Sequence, residues 1–151
     1  MHIPAKVEYG MRALLTLTAL GEAATTDELA HAQDLPAKFL GAILTDLRRA
    51  GILVSQRGSS GGYRLARPPN AISVAEVMRA LDGPLAAVRG VSPEATRYDG
   101  AAANLPDVWV AVRASLRRVL ENVTLEDAYT GRFAASINRL TEEPGSWEAR
   151  A

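Results

Sequence analysis

The chain has 151 residues, 48% of them hydrophobic and 23% charged, and its 17 Lys and Arg balance 17 Asp and Glu for a formal net charge of zero. Such a length buries about 68–70% of its unfolded surface, enough for one domain, or a small domain with an appendage, without a disulfide or a metal. No cysteine is present, which excludes disulfides, thiolate redox chemistry, zinc fingers and Cys-ligated iron–sulfur clusters, and the two histidines, His2 and His31, are too few for a histidine-only metal site. No cofactor is therefore expected. No apolar run reaches the ~18 residues of a membrane span and no secretory pattern opens the chain, so a cytoplasmic protein is expected.

The first helix is predicted from about Ala5, just after Pro4, to Leu20, with Val7, Met11, Leu14, Leu15 and Thr18 as its apolar stripe and Gly21 as its stop. "TTDE" opens a short second helix ending near Gln33 or Asp34. Thr25 and Glu28 there make a capping box, each side chain accepting an otherwise orphaned backbone N–H. A third helix follows within a few residues, with Pro36 suited to its first position and Gly51 to its end. Leu40, Ile43, Leu44 and Leu47 form its buried face, while Lys38, Gly41, Thr45 and Arg48 form a second stripe, polar and open. Two helices joined by a tight turn, the second with a small and basic exposed face, make a helix-turn-helix pattern, although many α-hairpins share it.

"ILVSQR" then reads as a strand, "GSSGG" as a turn built on Gly58, Gly61 and Gly62, and "YRLAR" as the return strand, closed by Pro68 and Pro69. The hairpin makes the order that of a winged helix, which is far more specific than either part alone. "RGSSGGYR" lacks the Gly-Lys-Ser/Thr ending of a phosphate-binding loop, and the chain has no nucleophile–base pair, so an enzyme is not expected. "ISVAEVMRALDGP" is a fourth helix: Ser73 and Glu76 make a capping box, Val74, Val77, Met78 and Leu81 the stripe, and Gly83-Pro84 the stop. Residues 85–106 show no periodicity, as a flexible effector-type loop would. From Asp107 onward Trp109, Val112, Leu116, Val119 and Val123 recur at the spacing of a coiled-coil seam, a face for a partner helix or for this chain's own body. "TLED" starts a last helical stretch to about Leu140, and an acidic tail closes the chain. The resulting division is 1–84, a winged helix-turn-helix unit; 85–106, the loop; 107–141, the seam helix and its successor; and 142–151, the tail.

Charge is unevenly spread. Between Leu47 and Ala75 stand Arg48, Arg49, Arg57, Arg64 and Arg67 with no Asp or Glu. A local basic patch in a neutral protein is the footprint of a small DNA-contacting surface, or else a solvated arginine-rich face.

"KVEYGMRALLTL", "FLGAILTDLRRAGILVSQRGSSGGYRLARP", "ISVAEVMRALDGPL" and "W…V…L…VTLED" together resemble the Rrf2 family of bacterial winged-helix regulators, of the IscR, NsrR and CymR type. The resemblance implies a mainly α fold, a winged helix-turn-helix with a two-stranded β wing and a long C-terminal dimerisation helix. It implies a homodimer that regulates transcription, as a repressor, on a pseudo-palindromic operator in double-stranded DNA. By position, Lys38 and Phe39 take the start of the recognition helix, Arg57 the minor-groove arginine at the base of the wing, and Lys6 and Tyr9 the contacts of the first helix with the DNA backbone. Thr45, Arg48, Arg49, Ser59, Ser60, Tyr63 and Arg64 complete the expected DNA-binding set, and Arg67 is a further candidate for phosphate. Trp109, Val112, Leu116, Val119 and Val123 are the expected dimer interface.

Two departures stand out. Gly41 occupies a recognition-helix position where other members carry a larger polar side chain, so either specificity has moved to Lys38, Thr45 and DNA shape or the backbone approaches DNA closely there; the 85–106 loop has none of the three cysteines of the iron–sulfur members. Without thiolates, Glu8 is expected to be a surface or helix-pair carboxylate rather than a cluster ligand. A regulatory ligand or a partner protein remains an open partner class. The alternative function is a winged-helix protein-interaction module with little DNA binding.

Overall fold

The computed structural model describes residues 2–149, and its elements follow the predicted order. α1 spans Ala5–Leu20, α2 Thr26–Gln33 and α3 Ala37–Arg49; β1 (Leu53–Gln56) and β2 (Gly62–Leu65) follow, then α4 (Val74–Asp82), α5 (Leu105–Leu120), α6 (Leu125–Thr130) and α7 (Ala135–Glu142). The fold is mainly helical, with one antiparallel hairpin among the described residues.

α1 is the central helix, with α2, α3, α4, α6 and β2 all packed on it. Its fully buried residues are Val7, Gly10, Ala13, Leu14 and Leu17, whereas Met11, Leu15 and Thr18 of the predicted stripe are half-buried. The buried arc is rotated toward small residues because neighbours cross α1 closely. A Cβ on Gly10 would stand 2.5 Å from Leu81 Cδ1 and 3.3 Å from Ile43 Cγ2, so α3 and α4 meet bare backbone there.

Local chemistry sets the helix ends. The predicted capping box of α2 is complete, with Glu28 N–H donating to Thr25 Oγ1 (3.2 Å) and Thr25 N–H to Glu28 Oε2 (2.7 Å). Pro36 caps α3 in extended backbone rather than opening its first turn, with ψ 110. At α4, Glu76 N–H donates to Ser73 Oγ (3.2 Å), but the return half of the expected box is missing. The Glu76 carboxylate pairs with Arg67 instead, since a guanidinium offers a charge-assisted bond that a backbone N–H does not match.

After α5 the chain returns to the same core. Val74 N–H donates to the Val123 carbonyl (2.9 Å) and Leu125 N–H to the Ile72 carbonyl (3.0 Å), stitching the start of α6 beside the start of α4. Leu125 is fully buried, and Val123 is buried as well. A second capping box starts α6, where Thr124 N–H and Oγ1–H donate to Asp127 Oδ2 at 2.9 and 2.7 Å. Those two donors hold the Asp127 carboxyl below its ordinary range.

Residues 85–106 are folded rather than structureless. Val88 and Val91 form a bridge, and 3-10 turns occupy Pro93–Ala95 and Gly100–Ala102. Pro93 and Thr96 are buried. Three-residue turns leave no periodicity in a sequence, which is why the segment reads as an unstructured loop. Arg113 on α5 pairs with Glu94, whose carboxyl is held low first by its own backbone N–H and then by that guanidinium.

Candidate nucleic-acid interface

α2, a short turn and α3 form the helix-turn-helix, and the turn is clamped from behind. Asp34 ends α2 in the left-handed region at φ 51. Arg12 of α1 donates through Nε to Gln33 Oε1 (3.2 Å) and through Nη2 to the Gln33 carbonyl, while Gln33 Nε2 donates to Thr16 Oγ1 (3.1 Å). Glu8 completes the chain of contacts by pairing with Arg12 at 3.4 Å, a helix-pair carboxylate as the sequence suggests. Arg12 and Gln33 thereby fix the end of α2, and with it the turn into α3, against α1. Sequence reading passed them over because a surface Arg and Gln on separate helices carry no pattern.

α3 buries Leu40, Ile43, Leu44 and Leu47 as expected. Lys38, Phe39 and Arg48 stand exposed on its other side, with Gly41 and Thr45 half-buried between them. Thr45 Oγ1 donates to the Gly41 carbonyl at 3.0 Å, so its proton is spent on its own helix and only its lone pairs are left to read a base. Gly41 has no internal reason to be glycine: a Cβ there would meet only Thr26 Cγ2, at 3.9 Å, an ordinary contact. Arg49 pairs with Asp46 at 3.5 Å, and Lys6 with Asp82 at 3.5 Å. Both pairs are half-exposed and hold their cations weakly.

The wing follows on the same side. Leu53 pairs with Leu65, Val54 with Arg64, Ser55 with Tyr63 and Gln56 with Gly62, so the strands are shorter than predicted and Arg57 belongs to the tip. Ala24 and Tyr63 exchange backbone hydrogen bonds at 3.0 and 2.8 Å, which anchors the wing to the turn before α2. Tyr63 is therefore half-buried and packed on the core. That anchor explains Gly62, at φ 135, where a Cβ would fall on the Ala24 carbonyl. Gly61 is likewise crowded by the Gly58 and Gln56 carbonyls, at 2.7 and 2.8 Å from a Cβ. These two glycines are required by the wing's own packing. Gly58, at φ 99 with open space around it, makes the turn. Gln56 Nε2 donates to the Ser60 carbonyl (3.1 Å) and shapes the tip, where Ser59 and Ser60 are exposed.

The basic residues divide into two groups. Arg67 donates to the Ala71 carbonyl (2.9 Å) and pairs with Glu76, so it belongs to the fold. Lys38, Arg48, Arg57 and Arg64 are exposed and have no ion-pair partner among the described residues. Four unneutralised cations thus line α3 and the wing.

The α5 seam is split. No residue of α5 is buried in the protomer, and Val112 is 44% exposed beside Val108 at 50%. Leu116 and Val119 are half-buried. Trp109 and Val112 line an open pocket together with this chain's own Ala86–Arg89 segment, and the Trp109 Nε1–H is buried without an acceptor among the described residues. Val123 lies in the core described above.

The family model Rrf2, described as "Iron-dependent Transcriptional regulator", matches residues 3–131. Rv1287 of Mycobacterium tuberculosis (strain H37Rv), named among the HTH-type transcriptional regulators, is 45% identical and covers 95% of this chain and 90% of its own length. The HTH-type transcriptional regulator CymR of Bacillus subtilis is 31% identical over 84% of this chain and 88% of its own. Among solved structures, CymR (YrzC), the global cysteine regulator of B. subtilis, superposes with a TM-score of 0.73 at 28% identity, covering 87% of this chain and 98% of that one. T. potens IscR superposes with a TM-score of 0.68 at 29% identity, covering 89% and 93%.

Proposed function

This chain belongs to the Rrf2 family of winged-helix transcriptional regulators, which are DNA-binding proteins and not enzymes, and from that premise we propose that it is a cytoplasmic homodimeric repressor of a pseudo-palindromic operator, working without an iron–sulfur cluster. The observation that carries the reading is the row of unpaired cations, Lys38, Arg48, Arg57 and Arg64, on one recognition helix and its wing. α3 enters the major groove with Lys38 and Phe39 leading. Arg57, at the wing tip, inserts into the adjacent minor groove, where a narrow A·T-rich groove concentrates negative potential. Arg48, Arg64, Ser59 and Ser60 hold phosphates, and Lys6, Tyr9 and Arg49 flank them.

Dimerisation through the α5 face that carries exposed Val112 and half-buried Leu116 and Val119 sets two such surfaces about one helical turn, ~34–36 Å, apart. The uncovered valines of α5 support this reading. The donor chemistry supports the absence of a cluster: the sequence has no thiolate, and no group of three His, Cys, Asp or Glu side chains among the described residues is placed to hold a metal.

The test is a mobility shift on duplexes from the chain's own upstream region at rising salt. Counterion release makes log affinity fall linearly with log salt, with a slope of about −0.9 per phosphate neutralised. Undetectable or salt-insensitive binding contradicts the proposal.

A further inference from the structure

Between α1 and the first turns of α3 lies an open groove of about 480 Å³ lined by Lys6, Tyr9, Pro36, Phe39, Ile43 and Asp46. Its walls are apolar: Pro36, the Phe39 and Tyr9 rings, and the edge of buried Ile43. Phe39 is 67% exposed, one of the most open large hydrophobic side chains described. An uncovered phenylalanine costs hydration and contributes nothing to this chain's own core, so its use is external.

The surroundings select the occupant. Lys6 and Lys38 draw a polyanion to this face. Asp46, at the other end of the groove, is paired with Arg49 and leaves that end without a free cation for a phosphate. What remains is an apolar projection carried by an anionic duplex, and the major groove offers one, the C5-methyl of thymine. We infer that Phe39, backed by Pro36 and Ile43, is a specificity residue that reads a thymine methyl in each half-site. This rests on the DNA-binding reading above and adds a direct base contact to it. It also supplies a base contact on the helix where Gly41 offers no side chain of its own.

The test starts from duplexes selected out of a random pool by the full-length protein. Thymines in the selected site are then replaced singly by deoxyuridine, which removes only the C5-methyl group. One symmetry-related pair of thymines is expected to be sensitive, each losing about fourfold in affinity, the value of one methyl-sized group taken from water. Phe39→Ala, at an exposed position, is expected to keep its fold by circular dichroism and to lose the sensitivity at that pair. Phe39→Leu is expected to retain it. A selected duplex whose every thymine tolerates deoxyuridine, or a sensitivity unchanged in Phe39→Ala, overturns the methyl contact while leaving DNA binding intact; a groove reserved for a partner protein gives that same insensitivity. A pool from which nothing is selected contradicts the DNA-binding reading itself, and the methyl contact falls with it.

Discussion

Gly41→Ala is expected to strengthen the fold and weaken the grip on DNA. Gly41 lies inside α3 in helical backbone, and the added methyl meets only Thr26 Cγ2 at 3.9 Å, so no internal clash opposes it. Alanine in a helix interior is favoured over glycine by about 0.5–1 kcal/mol, chiefly through backbone entropy. In a chain of this size that raises the melting temperature by about 1–4 °C. On the DNA side, a helix that seats its bare backbone against base edges has no room for the methyl, and overpacking a close contact costs about 1–3 kcal/mol. Thermal melts and mobility shifts read the two effects separately. Gly10→Ala is the contrasting variant: its methyl lands 2.5 Å from buried Leu81 Cδ1 and is expected to destabilise by about 1–3 kcal/mol. Full DNA affinity in Gly41→Ala would refute the close approach, and a lowered melting temperature would refute the claim that the fold leaves the site free.

Arg57→Ala is expected to weaken duplex binding by about 1–3 kcal/mol and to relax any preference for A·T flanks, with footprinting and titration as the check. Val108→Glu with Val112→Glu, both exposed on α5, should give a folded monomer with little operator binding; sedimentation that still returns a dimer contradicts the interface. Asp127 has a lowered folded pKa, so its contribution is complete above its unfolded value of about 3.9 and is lost as pH falls through the folded one. Asp127→Asn should therefore melt lower near neutral pH and lose less stability on acidification, while parallel acid profiles would contradict the capping role. Thr124→Ala removes the other half of that cap and is expected to cost about 1 kcal/mol in a denaturant melt.

Most of the fold was legible because local chemistry and tertiary packing agree. Thr25 and Glu28 announce α2, the Leu40–Leu47 stripe announces α3, and "GSSGG" announces the wing. What escaped is what depends on a distant partner. The Glu76 carboxylate goes to Arg67, outside its own helix, and Gly62 is fixed by the Ala24 carbonyl, which a glycine-rich motif does not reveal. The predicted seam has coiled-coil spacing at all its positions, yet Val123 lies beyond α5 and is buried in the protomer's own core, because periodicity identifies a face and not its neighbour. Residue type placed Lys38, Arg48, Arg57 and Arg64 in the candidate site. Their freedom from ion pairs, and Arg67's commitment to the fold, required three dimensions.

The most direct test of the account is hydroxyl-radical footprinting of a selected duplex, combined with the stoichiometry of the complex by sedimentation. Two chains per duplex, protecting two patches on one DNA face about one helical turn or a multiple of it apart, are predicted. A single protected patch with one chain bound, or two patches on opposite faces, would contradict it.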